Sequence, residues 1–253
     1  MTREQAISRL RAAGCVFAED EADVLIEAAA AGPSLAGMVE RRAAGEPLEQ
    51  VVGHADFAGV RVRLRPGVFV PRVRSELLVR LAAAEIRPDA LVVDLCCGSG
   101  ALGLALRNRV PGITLHAADV EPAAVECAVG NLTTNVHQGD LFDALPERLR
   151  GRIDLLLANV PYVATGHLPF LPAEARDHEP RTALDGGDDG LTVFRAVAAG
   201  AREWLAPGGL LISEITEAQT PIASTIADGN GLTATVATDD DLDARAILAR
   251  RPR

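Results

Sequence analysis

The chain has 253 residues, 48% of them hydrophobic, and a formal charge of −10, which allows one large domain beside a small one. The acidic balance excludes broad phosphate-backbone binding, so no direct nucleic-acid partner is expected; all 25 cations are arginine, which excludes lysine Schiff-base chemistry. No apolar run is long enough to span a membrane, and no signal-like segment follows Met1–Gln5, so a cytoplasmic protein with no membrane contact is expected.

The first 52 residues read as a small bundle of two to four helices. One is short, around Ile7, Leu10 and Arg11. A second runs from Asp20 to Ala31, with Ala22, Leu25, Ile26 and Ala29 on one face. Gly32-Pro33 breaks it, and Ser34 is placed to cap a third helix that runs to Ala44. The texture then changes. Phe57 to Arg65 alternates apolar residues with arginine, as a half-buried strand does, and Pro66-Gly67 turns the chain so that Val68-Phe69-Val70 pairs back. The arginine face of this hairpin reads as a solvated edge or as a contact for an acidic or RNA-bound partner.

From residue 71 onward, strand and helix patterns alternate. Helices are expected at 74–85, 101–109, 122–130, 190–205 and 218–227. Strands are expected at 91–95, 114–119, 136–138, 153–158 and 210–215, with a terminal hairpin from 232–238 and 246–249. This alternation predicts an α/β fold, a doubly wound and mainly parallel sheet with helices on both faces. Four cysteines (Cys15, Cys96, Cys97, Cys127) have no C-x-x-C spacing, and the five histidines are scattered. Neither a disulfide framework nor a metal site is expected.

The chemistry gathers at strand ends. Asp94-Leu95-Cys96-Cys97-Gly98-Ser99-Gly100 is a strand running into a glycine turn. Its Gly98-x-Gly100-x-x-Gly103 spacing lets backbone approach a ligand closely, and it also matches a dinucleotide fingerprint. An acid before the turn, Asp94, suits the cationic amino-acid end of S-adenosylmethionine better than pyrophosphate. Asp119 ends the next strand, where it can hold ribose hydroxyls. Asp140 ends the third, where it can accept from an adenine amine, with Leu141 and Phe142 beside the ring. The plainer reading of each turn is simple helix packing, but three acids on successive strand ends of one sheet fit a ligand edge.

Asn159-Val160-Pro161-Tyr162 follows the apolar strand at 153–158. The Asn159 side-chain oxygen and the Val160 carbonyl can each accept one N–H of a planar amine or amide. Pro161 biases Val160 toward an extended conformation, and Tyr162 supplies an aromatic wall. Asn and Pro also end strands without any function. Beside the upstream turn, however, they read as a grip for nitrogen methylation.

These residues carry a resemblance. The chain resembles the HemK/PrmC-type protein-(glutamine) methyltransferases. The likeness runs from Arg41-Arg42 and Gly45-Glu46-Pro47 through Val68-Phe69-Val70-Pro71-Arg72, Ser75-Glu76, the Asp94 turn and Asn159-Val160-Pro161-Tyr162. It continues through Glu179-Pro180, Asp189-Gly190-Leu191, Pro207-Gly208-Gly209 and Glu214.

The resemblance implies a Rossmann-like methyltransferase core at 71–253. A helical unit at 1–52 would recognise substrate, and a linking hairpin would occupy 53–70. It implies S-adenosylmethionine as cofactor, bound by Phe69, Arg72, Ser75, Asp94, Gly98, Gly100, Asp119, Asp140, Leu141 and Asn159. Asn159, Tyr162, Glu179 and Pro180 would hold a protein substrate through an exposed glutamine, a release factor or a ribosomal protein. No general base stands out; after transfer the proton can leave to water or to a nearby carboxylate such as Glu179. Three features depart from the family pattern. Val160 replaces a proline, Cys96 replaces the first glycine of the turn, and the helical unit before residue 41 is short. Three alternatives remain: an adenine methyltransferase of nucleic acid, a small-molecule N-methyltransferase, and a non-catalytic S-adenosylmethionine-binding module.

Overall fold

A computed structural model describes residues 1–30, 32–133 and 135–253. Four helices open the chain: α1 (Arg3–Ala12), α2 (Ala18–Ala29), α3 (Leu35–Ala43) and α4 (Leu48–Val52). Thr2 caps α1 in a reciprocal capping box with Gln5. Ser34 caps α3, its side chain accepting from the Gly37 N–H. The second helix begins two residues before its expected start because Ala18 already packs into the bundle, and Ala31 lies outside the described residues. Ala6, Leu10, Ala22, Leu25 and Val39 form a core for these helices that is separate from the rest.

The hairpin is displaced from its expected place. Strand β1 (His54–Phe57) pairs antiparallel with β2 (Val60–Arg63), and Phe57 faces Val60. Ala58 and Gly59 both have positive φ, +47° and +83°, which is the geometry of a two-residue hairpin turn. Val68-Phe69-Val70 therefore does not pair back. Side chains take two of its backbone groups instead: Gln50 Nε2 donates to the Val68 carbonyl at 2.9 Å, and the Val70 N–H donates to Glu179 Oε1 at 3.1 Å. The arginine face is partly neutralised within the chain, Arg61 by Asp56 and Arg65 by Glu126.

The remaining elements are α5 (Glu76–Glu85), β3 (Leu91–Leu95), α6 (Ala101–Arg109), β4 (Thr114–Asp119), α7 (Pro122–Leu132), β5 (Val136–Gln138), β6 (Ile153–Ala158), α8 (Ala173–His178), α9 (Thr192–Trp204), β7 (Leu205–Glu214), α10 (Thr220–Gly229), β8 (Thr233–Asp239) and β9 (Ala244–Arg250). Seven strands make one sheet in the order β5-β4-β3-β6-β7-β9-β8. Neighbours from β5 through β7 are parallel, and β9 runs antiparallel to both β7 and β8. The expected Rossmann-like architecture is what the chain forms.

Alternation along the strands builds two cores. Val92, Leu155, Leu157 and Ile212 face α5 and α6, whereas Val93, Leu95, Leu156 and Leu211 face α9 and α10. Strand β7 starts earlier than expected. Its Pro207-Gly208-Gly209 lies inside the strand, where the pairing jumps from Ile153–Leu205 to Leu155–Leu210, so that glycine-rich turn is a bulge. The order β4-β3-β6 places the switch between outward and return crossovers at β3, where open α/β sheets bind ligands.

Candidate functional site

A cavity of about 510 Å³ opens at the carboxyl ends of β3, β4 and β6. That volume is within the range for a cofactor-sized ligand. One end is walled by Cys96 to Ser99, Ala118 to Glu121 and Gly139 to Leu141, and the other by Asn159 to Val163, Leu171, Pro172 and Pro180. Phe69, Arg72 and Ser75 lie along its side, with the Arg72 guanidinium 4.9 Å from the Phe69 ring centre.

Of the cofactor candidates, Phe69, Arg72, Ser75, Gly98, Asp119, Asp140, Leu141 and Asn159 are brought together on this cavity, whereas Asp94 and Gly100 are not part of its wall. Gly100 has φ +77° and begins α6, and a Cβ there would collide with Leu132. Its requirement is conformational and steric. Asp94 is fully buried, and its Oδ2 accepts from the Gly103 N–H at 2.9 Å. Gly103 is in the first turn of α6, whose start has no side-chain cap of its own, so Asp94 satisfies an orphan donor from the neighbouring strand. Burial raises the Asp94 carboxyl to about 7, with a further push from Asp119. This acid therefore braces the turn from behind.

Asp119, unlike Asp94, reaches the cavity. Its Oδ2 accepts from the Gly98 N–H at 2.8 Å and its Oδ1 from the Glu121 N–H at 3.0 Å. Burial raises its pKa against those two bonds. Phe142 does not flank the cavity; it stacks on Trp204 with ring centres 5.5 Å apart.

Asn159, Val160, Pro161 and Tyr162 all line the cavity. Asn159 Nδ2 donates to Ser75 Oγ at 3.2 Å, and Ser75 Oγ donates to Glu214 Oε2 at 2.5 Å. Glu214 Oε1 accepts from the Tyr162 hydroxyl at 2.6 Å and from Arg74 Nε at 2.8 Å. Asn159 Oδ1 is buried and has no hydrogen-bond partner among the described residues. The Val160 N–H and carbonyl likewise make no hydrogen bond among them. Burial pushes the Tyr162 hydroxyl pKa up, which keeps it a proton donor. The loop after α8 closes tightly on this segment. A Cβ on Gly190 would strike the Tyr162 carbonyl, and Gln219 Nε2 donates to that carbonyl at 2.9 Å.

Pro180 lines the cavity, but Glu179 does not. The Glu179 side chain is fully buried, with Oε1 on the Val70 N–H and Oε2 on Arg72 Nη2 at 2.6 Å. Both oxygens are committed to bracing the loop, which leaves the expected role of proton acceptor without support. Sequence reasoning missed Arg74 and Glu214 as members of the site. A signal for Glu214 was present: like Asp94, it is a lone acid at the end of an otherwise apolar strand.

The Methyltransferase small domain model matches residues 59–171. The release factor glutamine methyltransferase of Moorella thermoacetica is 36% identical over 239 residues, covering 83% of each chain. The chain belongs to the release factor glutamine methyltransferase family. It is an S-adenosylmethionine-dependent methyltransferase. The family's sequence neighbours also include the 4-amino-L-phenylalanine/4-methylamino-L-phenylalanine methyltransferase of Streptomyces pristinaespiralis. That enzyme is 38% identical over 220 residues, covering 83% of this chain and 77% of its own. A methyltransferase from Pyrococcus furiosus shares the fold, with a TM-score of 0.58 at 15% identity over 77% of this chain and 90% of its own. Among the described residues, no helix is long and apolar enough to cross a membrane.

The residues present fit the cofactor. Asp119 sets a carboxylate on the cavity wall beside the glycine turn, where it could accept from hydroxyls, and Gly98 leaves open space where a side chain would stand. Asp140 and Leu141 complete that end.

Proposed function

We propose that this chain methylates the side-chain amide nitrogen of a glutamine in a protein. The observation that carries the reading is the Asn159 Oδ1, an acceptor at the cavity wall that is buried and unpaired. Leaving such a group unpaired costs free energy, and no other group among the described residues uses it. The free carbonyl of Val160 is a second acceptor. Together they match the two hydrogens of a primary amide. The names borne by the chain's relatives support glutamine as the source of that amide.

Bound S-adenosylmethionine supplies an electrophilic methyl group. The chain's own residues do the rest. Asp119, Gly98, Asp140 and Leu141 hold the cofactor, with Phe69, Arg72 and Ser75 along its flank. An amide nitrogen is a poor nucleophile because its lone pair is delocalised. Two acceptors on its hydrogens favour pyramidalisation and stabilise the positive charge that develops on nitrogen. Pro161 and Tyr162 shape the wall that aligns the amide for in-line attack. Pro180 covers the mouth, and the Arg72–Glu179 pair braces that cover. Residues 1–52 form the substrate-recognition unit and 53–70 link it to the catalytic part at 71–253. The working location is the cytoplasm, with no nucleic-acid partner.

A small-molecule arylamine acceptor is the second reading, favoured by the 38% identity to the 4-amino-L-phenylalanine enzyme. The test is transfer of labelled methyl from S-adenosylmethionine into a lysate lacking this protein, followed by mass spectrometry of the labelled band, with 4-amino-L-phenylalanine assayed alongside. Methyl on a glutamine nitrogen is the expected result. Transfer to the arylamine alone would overturn it.

A further inference from the structure

An asparagine amide is nearly symmetric in shape, so packing alone does not decide which end meets a neighbour; the hydrogen bonds around it do. Ser75 Oγ carries one proton and donates it to Glu214 Oε2 at 2.5 Å, the length of a charge-assisted bond. Glu214 is 3% exposed, and Tyr162 and Arg74 both donate to its other oxygen, so the geometry uses it as an acceptor on both sides. With its proton spent, Ser75 can only accept from Asn159. The amide nitrogen of Asn159 must then face Ser75, which it does at 3.2 Å, and Oδ1 is left free.

We propose that Glu214 is a positioning residue that sets the polarity of the Asn159 amide through the Ser75 hydroxyl. This inference rests on the amine-gripping role given to Asn159 above. The near-isosteric Glu214→Gln tests it through polarity and not through bulk. Arg74 and Tyr162 require an acceptor, so the glutamine oxygen turns to them and its NH2 turns to Ser75. Ser75 then accepts from the glutamine, and its proton becomes free to point at Asn159. Asn159 presents its oxygen to that proton, and its NH2 replaces Oδ1 at the acceptor site, where it repels the substrate's N–H groups.

The experiment compares wild type, Glu214→Gln, Ser75→Ala and the double variant. Methyl transfer is measured to a glutamine-containing peptide and to 4-amino-L-phenylalanine, with S-adenosylmethionine affinity as the control for folding. Glu214→Gln should lower kcat roughly 100-fold, the scale of losing one preorganised hydrogen-bonding group, and leave cofactor affinity within about threefold. In the Ser75→Ala background the same substitution should change kcat by less than about threefold, because the relay is already cut. An equal loss with and without Ser75 overturns the proposal and leaves Glu214 a purely structural anchor. A second readout needs no turnover: the Asn159 side-chain amide resonances, assigned by their loss in Asn159→Asp. They should shift on Glu214→Gln and stay in place when Ser75 is already alanine; resonances unmoved by Glu214→Gln also overturn it. If wild type methylates neither probe, the reading of the substrate fails while the resonance comparison still decides the relay.

Discussion

Glu179 Oε2 lies 2.6 Å from Arg72 Nη2, joining the loop after α8 to the segment before α5 across 107 residues of sequence. The carboxylate side of the pair is fully buried and the guanidinium side is 30% exposed. Truncating the acid leaves the Val70 N–H without its acceptor and Arg72 without its counter-charge. Glu179→Ala should therefore destabilise the fold by roughly 3 kcal/mol, the lower end for breaking a buried pair. It should also raise the acceptor KM more than it lowers kcat. Denaturant unfolding and steady-state kinetics check both; a kcat collapse at unchanged KM would return Glu179 to the chemistry.

Asp94 gives stability a pH dependence. Burial holds its folded pKa at about 7, above the 3.8 ordinary for an aspartate. Between those values the folded chain keeps a proton that the unfolded chain releases, so this group's contribution falls as pH rises through that window and is fully present only below it. Asp94→Asn should flatten the fall by up to about 1.4 kcal/mol per pH unit. Urea midpoints at a series of pH values from 4 to 7 measure it; parallel curves for the two proteins would contradict the assignment.

Much of this architecture was legible in the chain. The strands at β3, β4 and β6 match their expected spans because buried parallel strands are short, largely apolar runs, and the edge strand β5 also falls where expected. The hairpin was misplaced because Ala58-Gly59 reads weakly as a turn, whereas Pro66-Gly67 reads strongly. Strand ends also located most of the cavity wall. What they did not reveal is which acid lines the cavity: Asp94 and Asp119 look alike in sequence, and only their packing separates a helix brace from a cavity wall. The Ser75–Glu214 bond, spanning 139 residues, depends on where the start of α5 meets the end of β7 and has no local signature.

Asp119 is the acid whose loss should be felt by the cofactor. Asp119→Ala should weaken S-adenosylmethionine binding by on the order of 1–3 kcal/mol, the cost of a missing charged hydrogen bond. Calorimetry checks it, and binding of NAD in place of S-adenosylmethionine by the wild type would refute the site assignment.

Val160 tests the departure from the family's proline. Its N–H makes no hydrogen bond among the described residues, so Val160→Pro removes no donor in use and keeps the carbonyl. The variant should turn over within about threefold of wild type, because the carbonyl is kept. Intact cofactor binding with abolished transfer would show that the segment works through a different contact.

The account turns on Asn159 as the grip on the acceptor nitrogen. Single-turnover methyl transfer by Asn159→Ala, with S-adenosylmethionine affinity measured on the same preparation, addresses it most directly. Transfer should fall by roughly 100-fold or more, as for other preorganised polar groups, while cofactor affinity stays near that of wild type. Near-normal transfer by the folded, cofactor-binding variant would contradict the account.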